Sequence, residues 1–450
     1  MTQLPIAFLP QMQAQLQEEW PQFEAALTQQ APTSIRWNRR KIGLQPNIEE
    51  PIPWNEQGSY LSQRPVFTLD PLLHAGAYYV QEASSMLLGV AVQQLIGPSR
   101  PIRALDLCAA PGGKTSLLAD QLSAESLILA NEVIKSRYHV LQENLTKWGA
   151  PNVYFSNHDS AQLAKLAGFF DLVVVDAPCS GEGLFRKSPD AIQEWSTDAV
   201  SLCAARQKRI LAEAVQTLAP EGILIYCTCT YNDIENEANA HWLAKEFELT
   251  PMPLALPEAW GVRTKAIGYQ CYPHLVKGEG FYISCFQKKT GKRLELSPKV
   301  KFEHWQALPK KHHAILQKWV ESPSAYHFFI DASHQIYAIL KEHTEAIQNI
   351  DQHLKRRMLG KHIGTIKGKD FIPSATLALS LLRSTSYPSV ELNKEQALRF
   401  LKRETIELAD PPQGWQLVTF QTQALGWIKG IKRRINNYYP KEWRIRMNIK

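Results

Sequence analysis

The chain reads as an α/β protein: a doubly wound, Rossmann-like domain in the middle, flanked by small α+β modules at both ends. Three observations predict this. Between Ile102 and about Gln287, short apolar runs alternate with helix-like runs of about 10 to 20 residues, the pattern of parallel strands joined by covering helices. Val173-Val-Val175 carries no polar alternation, as suits a central strand buried on both faces. Outside that stretch the alternation stops and short mixed elements take over.

Taken in order, residues 6–29 read as one polar amphipathic helix, followed by Ser34-Ile-Arg-Trp-Asn-Arg-Arg-Lys-Ile42, a short strand dense in cations. A Pro-rich stretch from Pro46 to Pro53 then separates this portion from Gln81-Glu-Ala-Ser-Ser-Met-Leu-Leu88, which opens a helix toward the centre. The pattern predicts strands over 104–108, 127–131, 153–156, 171–176, 222–227 and 281–286, and helices over 115–121, 135–148 and 199–218. Right-handed crossovers between them give a mainly parallel sheet. Lys288-Lys-Thr-Gly-Lys-Arg293 reads as a basic, exposed linker, and beyond it Trp305, Trp319, Trp415, Trp427 and Trp443 stand among short strands and helices. The expected division is therefore 1–95, 96–288, 295–360 and 361–450.

At 450 residues, 44% hydrophobic and 21% charged, the chain can bury a sizeable core. A net charge of +7 favours a polyanionic partner without identifying one. The start, Met1-Thr-Gln-Leu-Pro-Ile-Ala-Phe-Leu-Pro10, has no export pattern. No run approaches the roughly 18 apolar residues of a membrane span. Seven cysteines, an odd number lying mostly in apolar surroundings, read as thiols of a reducing cytosol. A cytoplasmic protein with no membrane contact, and a monomer, is expected.

Ala104-Leu-Asp-Leu-Cys-Ala-Ala-Pro-Gly-Gly-Lys-Thr115 is a strand, a tight turn and a helix start. Small residues there let a ligand approach the backbone, and the helix N-terminus favours an anionic group. A phosphate-binding P-loop would need Gly at position 108, which is Cys, and Gly-x-Gly-x-x-Gly is absent. Glu132 lies 19 residues beyond Gly113, where a doubly wound site keeps its ribose-binding acid. Asp159 follows the third strand, near the base end. Loop and acids together point to S-adenosyl-L-methionine, held by Cys108, Ala109, Ala110, Pro111, Gly112, Gly113, Lys114, Glu132, Asp159 and Asp176.

Cys179 and Cys229 each follow an apolar strand. Two thiols so placed suit attack on, and release of, a carbon such as C6 of cytosine. Asp106-Leu-Cys-Ala-Ala-Pro-Gly-Gly-Lys114, Asp176-Ala-Pro-Cys-Ser-Gly-Glu-Gly183 with Arg186-Lys-Ser-Pro-Asp190, Tyr226-Cys-Thr-Cys-Thr230 with Glu235-Asn-Glu237, and Gly278-Glu-Gly-Phe-Tyr282 resemble the successive motifs of the Sun family of RNA (cytosine-5) methyltransferases, over Gln81 to about Gln287. The resemblance implies Cys229 as nucleophile, Cys179 in adduct release and Asp176 in cytosine recognition. A cation such as Lys187 would help to form the thiolate. Two other attackers stay open: Cys179, as in the Pro-Cys pair of DNA cytosine methyltransferases, and Cys227, on the face of Cys229 by strand alternation. Cys227-x-Cys229 has no matching second pair for zinc. Cys203, Cys271 and Cys285 read as inert buried thiols.

Two patches could hold the RNA: Arg36, Arg39, Arg40 and Lys41 around Trp37, and the tail from Gly426 to Arg446, where cations alternate with aromatics. The tail resembles the PUA-like RNA-binding extension of bacterial small-subunit rRNA members of the family. The substrate this implies is structured RNA, small-subunit (16S) rRNA first, with transfer RNA or a non-catalytic assembly role as the alternatives.

Overall fold

The computed structural model describes residues 4–42, 50–354, 360–408, 412–432 and 434–448. Its centre is a nine-stranded sheet. Five strands are parallel, Arg103–Asp106, Leu127–Asn131, Val153–Ser156, Phe170–Asp176 and Leu218–Thr228, and Phe281–Gln287 joins antiparallel to the last. Arg103–Asp106 lies between Leu127–Asn131 and Phe170–Asp176, so the order reverses there. Ligands of such sheets bind at that reversal, outside the carboxyl ends of the strands. Val173, Val174 and Val175 are fully buried: Val174 packs with the core on one face and Val173 and Val175 with the core on the other.

The amino end differs from its expected form. Residues 6–29 break into Phe8–Leu16, a 3-10 turn at Gln17–Glu19, and Trp20–Leu27, because Pro21 in the first turn has no N–H to donate and starts a new helix. The buried Phe8, Met12 and Phe23 pack on Phe185, Trp195 and Tyr231, so these helices brace the loop beyond Cys179. Part of the stretch from Pro46 to Pro53 lies outside the described residues. Its remainder, Glu50–Ile52, is an edge strand on Asn55–Leu61, an edge being where a strand tolerates proline. Lys288–Arg293 is tied down: Lys288 donates to the Val215 and Leu218 carbonyls at 2.9 Å and Arg293 pairs with Asp171.

The expected boundary between 360 and 361 runs through a sheet and is corrected. Gln335–Leu340 pairs antiparallel with Lys361–Lys367 inside a five-stranded sheet that spans Gln306–Pro373. A four-stranded sheet follows, of Ser389–Glu391, Gly414–Phe420, Gln423–Ile431 and Arg434–Asn437. Trp427, 1% exposed, joins the core shared by these two sheets and donates from Nε1 to the Ser374 carbonyl at 2.9 Å. Among the described residues no helix is long and apolar enough to cross a membrane.

Candidate active site

The carboxyl edge of the parallel strands opens into a cavity of about 720 Å³. Its floor is the loop after Asp106, which turns at Gly112 into the helix Gly113–Gln121. Gly112 has φ +115°, in the region that favours glycine, and an added Cβ would lie 3.2 Å from Leu145 and 3.4 Å from Leu141 of the next helix. Thr115 donates its hydroxyl to Asp106 Oδ2 at 2.6 Å, which anchors the helix start to the strand end. Burial pushes the Asp106 carboxyl up to about 7, partly offset by that hydrogen bond. Lys114 Nζ lies 2.7 Å from Asp176 Oδ2. Burial works against the Lys114 charge, but the Asp176 carboxylate outweighs it and the ammonium is held charged.

Glu132 follows the second strand and is 2% exposed. Its Oε1 accepts the Ile134 N–H at 2.9 Å, whereas Oε2 has no hydrogen-bond partner among the described residues and lies 3.5 Å from Arg137. Burying a carboxylate oxygen that accepts no hydrogen bond is costly, so this oxygen has the character of a site for donors such as ribose hydroxyls. Asp159 lies exposed at the cavity wall, and one of its oxygens caps the helix Ser160–Leu163.

Opposite stand the thiols, both half-buried and free, with Cys179 Sγ 3.1 Å from Cys229 Sγ. Two buried carboxylates fix the loops that carry them. Glu182 accepts from the backbone N–H groups of Tyr231 and Asn232, the Thr230 hydroxyl and Trp195 Nε1 at 2.7–3.0 Å. Glu235 accepts from the Ser180 N–H at 3.0 Å and from Gln207 at 2.7 Å. Gly183 donates its N–H to the Cys229 carbonyl at 2.8 Å, and a Cβ there would sit 2.7 Å from that oxygen, so only glycine lets the loops close this tightly. The Cys179 thiol is pushed well up, first by its hydrogen bond to Cys229 and then by burial. It holds its proton at neutral pH.

Of the residues read from the sequence, Cys108, Ala109, Ala110, Pro111, Gly113, Lys114, Glu132, Asp159, Asp176, Cys179 and Cys229 line this one cavity. Gly112 acts behind the loop. Lys187 does not line it: its ammonium faces Glu279 Oε1 at 3.5 Å, beside the Arg186–Glu279 pair at 2.9 Å. Cys227 is fully buried in the sheet core, and burial raises its thiol, which leaves it out of the cavity. Sequence reasoning missed Glu182, Asn232 and Gln207 as supports; Glu182 and Glu235 were visible only as letters of the motifs. The cationic strand is corrected at two of its four cations, while Arg39 stays exposed and Arg40 half-buried. Arg36 is fully buried, pairs with Asp120 and donates to Gln81 at 2.9 Å and to Ser116, and Lys41 donates to the Ala75 and Lys147 carbonyls.

Family models match the chain in three places: the 16S rRNA methyltransferase RsmB/F over residues 93–287, the N-terminal domain of 16S rRNA methyltransferase RsmF over 4–83, and the methyltransferase RsmF PUA domain over 387–445. Ribosomal RNA small subunit methyltransferase F of Salmonella arizonae is 31% identical over 97% of this chain and 96% of its own length, and that of Escherichia fergusonii is 30% identical over the same shares. The chain belongs to this family. Among solved structures, a methyltransferase homologue from Pyrococcus horikoshii is 27% identical, covering 63% of this chain and all of its own, with a TM-score of 0.53. NSun6 from the same organism, solved with SFG, shares the fold at 19% identity and a TM-score of 0.54, over 64% of this chain and 99% of its own.

An RsmF-family chain is an S-adenosylmethionine-dependent rRNA methyltransferase, and the residues present fit that donor. The small side chains of Ala109, Ala110 and Gly113 leave the loop backbone open, and Glu132 Oε2 is a buried acceptor that faces Arg137 at 3.5 Å but takes no hydrogen bond among the described residues. No group of three or more His, Cys, Asp or Glu side chains among the described residues could hold a metal ion.

Proposed function

We propose that this protein methylates C5 of a cytosine in 16S rRNA, with Cys229 as the attacking thiol and Cys179 as the group that eases its departure. The 3.1 Å thiol pair at the wall of the cofactor cavity carries this reading. A cytosine inside a helix cannot present C6 to a thiol, so the base enters from a single strand or flipped out of its stack.

Cys229 Sγ adds as a thiolate to C6, and the electron pair of the C5–C6 double bond moves to make C5 nucleophilic. The bound cofactor supplies an electrophilic methyl group. C5 then gives up its proton to a base, the C5–C6 double bond re-forms, the Sγ–C6 bond breaks, and Cys229 leaves as a thiolate. A sulfur that attacks and leaves as an anion benefits twice from a neighbouring donor, and Cys179, whose proton is held tightly, is that donor. Asp176, steadied by Lys114, faces the cavity as an acceptor for the N4 amino group or a protonated N3, which favours cytosine over uracil.

The test is bisulfite mapping of 16S rRNA together with denaturing gels. Cys229→Ala should lower the methylation rate by at least about a thousandfold, the scale on which loss of a nucleophile is felt. Cys179→Ala should accumulate a protein–RNA adduct that survives denaturant. Normal methylation by Cys229→Ala, or an adduct formed by that variant, would reverse the assignment.

A further inference from the structure

Two of the cations that line the cavity stand without a partner among the described residues. Of the cations that line it, Lys114 is paired with Asp176 at 2.7 Å and Arg137 lies 3.5 Å from Glu132. Arg206 and Arg209 also line it, are exposed, and have no ion pair or hydrogen bond among the described residues. Both stand on the long helix Thr197–Thr217, which buries Val200, Ala204, Gln207 and Leu211 on its inner side. Residues three apart on a helix are neighbours on one face. Leu202, 67% exposed, lies four residues before Arg206 on the same face, and Leu184, 40% exposed, lines the cavity nearby.

The turn that carries Arg206 is rigidly set against the thiols. Gln207, between the two arginines, donates to the Pro178 carbonyl at 3.0 Å and to Glu235 at 2.7 Å, and Pro178 directly precedes Cys179. Arg206 also reaches the field of Cys203, as Cys229 does. Two unpaired guanidinium groups on a helix held beside a reaction cavity suit an anion arriving with the substrate. RNA supplies one in every nucleotide, and arginine binds phosphate through a planar fork of donors.

We propose that Arg206 and Arg209 form a phosphate clamp at the mouth of the cavity, gripping the RNA backbone next to the nucleotide delivered to Cys229. This rests on the proposed reading of the site as one that takes a single RNA nucleotide. Holding the backbone there offsets part of the few kcal/mol needed to unstack a base. It also registers the strand without reading sequence, since phosphate contacts position and base contacts specify.

The test uses the full-length protein and small ribosomal subunits or 16S rRNA, whichever the wild type methylates. Arg206→Gln with Arg209→Gln should raise the RNA Kd and KM roughly ten- to hundredfold at moderate salt. It should also flatten the slope of log K against log salt by about 0.7 for each phosphate that is no longer neutralised. Affinity for S-adenosylmethionine should not change. Lys208→Gln removes one charge from the other side of the same helix, where the ammonium lies over Trp242, and should leave the salt slope alone. An unchanged slope in the double variant overturns the clamp, as does a loss of cofactor affinity with normal RNA binding. Those results are distinguishable from failure of the thiol reading, which would show as normal methylation by Cys229→Ala, or no adduct in Cys179→Ala, while the salt slopes still differ.

Discussion

The thiol loops and the cation-rich ends of this chain use charge in opposite ways. Around Cys179 and Cys229 the buried acids are Glu182 and Glu235, each met by donors from the opposite loop and Glu235 also by Gln207 of the long helix. They hold two loops in one geometry. In the amino-terminal sheet the buried charge is a cation, Arg36, whose guanidinium meets Gln81, Ser116 and Asp120 and lies 4.6 Å over the ring of Trp148. It joins that sheet to the methyltransferase domain. At the carboxyl end Lys432, Arg434, Arg444 and Arg446 are exposed, while Trp427 before them and Tyr439 among them turn inward, each 1% exposed, and Tyr438 and Trp443 are half-buried. The lesson is that a run of cations describes a binding face only after the buried ones are removed. Arginine serves equally well as an interior joint when its donors are matched.

The largest expected effect tests the joint. Arg36→Met should destabilise the fold by about 3–5 kcal/mol, because Asp120 is left buried and uncompensated. The measurement is urea unfolding, with RNA affinity taken on the folded fraction. A variant that kept its stability and lost RNA binding would return Arg36 to the RNA interface and break the comparison.

The same contrast explains what could be read from the chain directly. The five parallel strands and the paired thiol loops were legible because periodicity and motif spacing are local, and the sheet topology then brings Cys179 to Cys229 from 50 residues away. Arg36 was illegible because its partners at 81, 116 and 120 come from other elements. Lys187 follows a motif that points it toward Glu279 instead of the thiols, which its position in the chain does not indicate. The boundary at 360 failed for a similar reason: Lys361–Lys367 finds its partner strand at Gln335–Leu340 across an intervening helix, and short mixed strands give no sign of which neighbour they join.

A second test sharpens the acidic side. Asp106 is buried at the cofactor loop, its Oδ1 has no hydrogen-bond partner among the described residues, and Lys114 is turned to Asp176. Its carboxyl titrates at about 7 in the folded chain, against about 3.9 when unfolded. Between those values the folded state keeps a proton that the unfolded state has lost, so this group makes stability fall as pH rises from about 4 to 7. Asp106→Asn keeps a neutral group beside Thr115 and should remove that fall, a difference of roughly 4 kcal/mol between pH 4 and pH 8. Urea midpoints across that range, taken without cofactor, would reveal it. A variant with the wild-type pH slope would show that Asp106 is ionised in the fold.

The smallest expected effect on stability belongs to the exposed tail. Lys432→Glu, Arg444→Glu and Arg446→Glu together touch no buried partner among the described residues, and each exposed substitution should stay within about 0.5 kcal/mol in unfolding. If the tail meets RNA through these cations, affinity should still fall, and the salt dependence should flatten by about 0.7–0.9 for each phosphate that is no longer neutralised. Cutting the chain at residue 360 cannot ask this question, since the cut would split a five-stranded sheet and strip Trp427 from a shared core. Charge reversal leaves both intact. A stable variant with wild-type affinity and salt slope would leave the Arg206–Arg209 wall as the cationic surface that engages RNA, and would make the carboxyl-terminal sheets a brace for the catalytic domain instead of a second hand on the substrate.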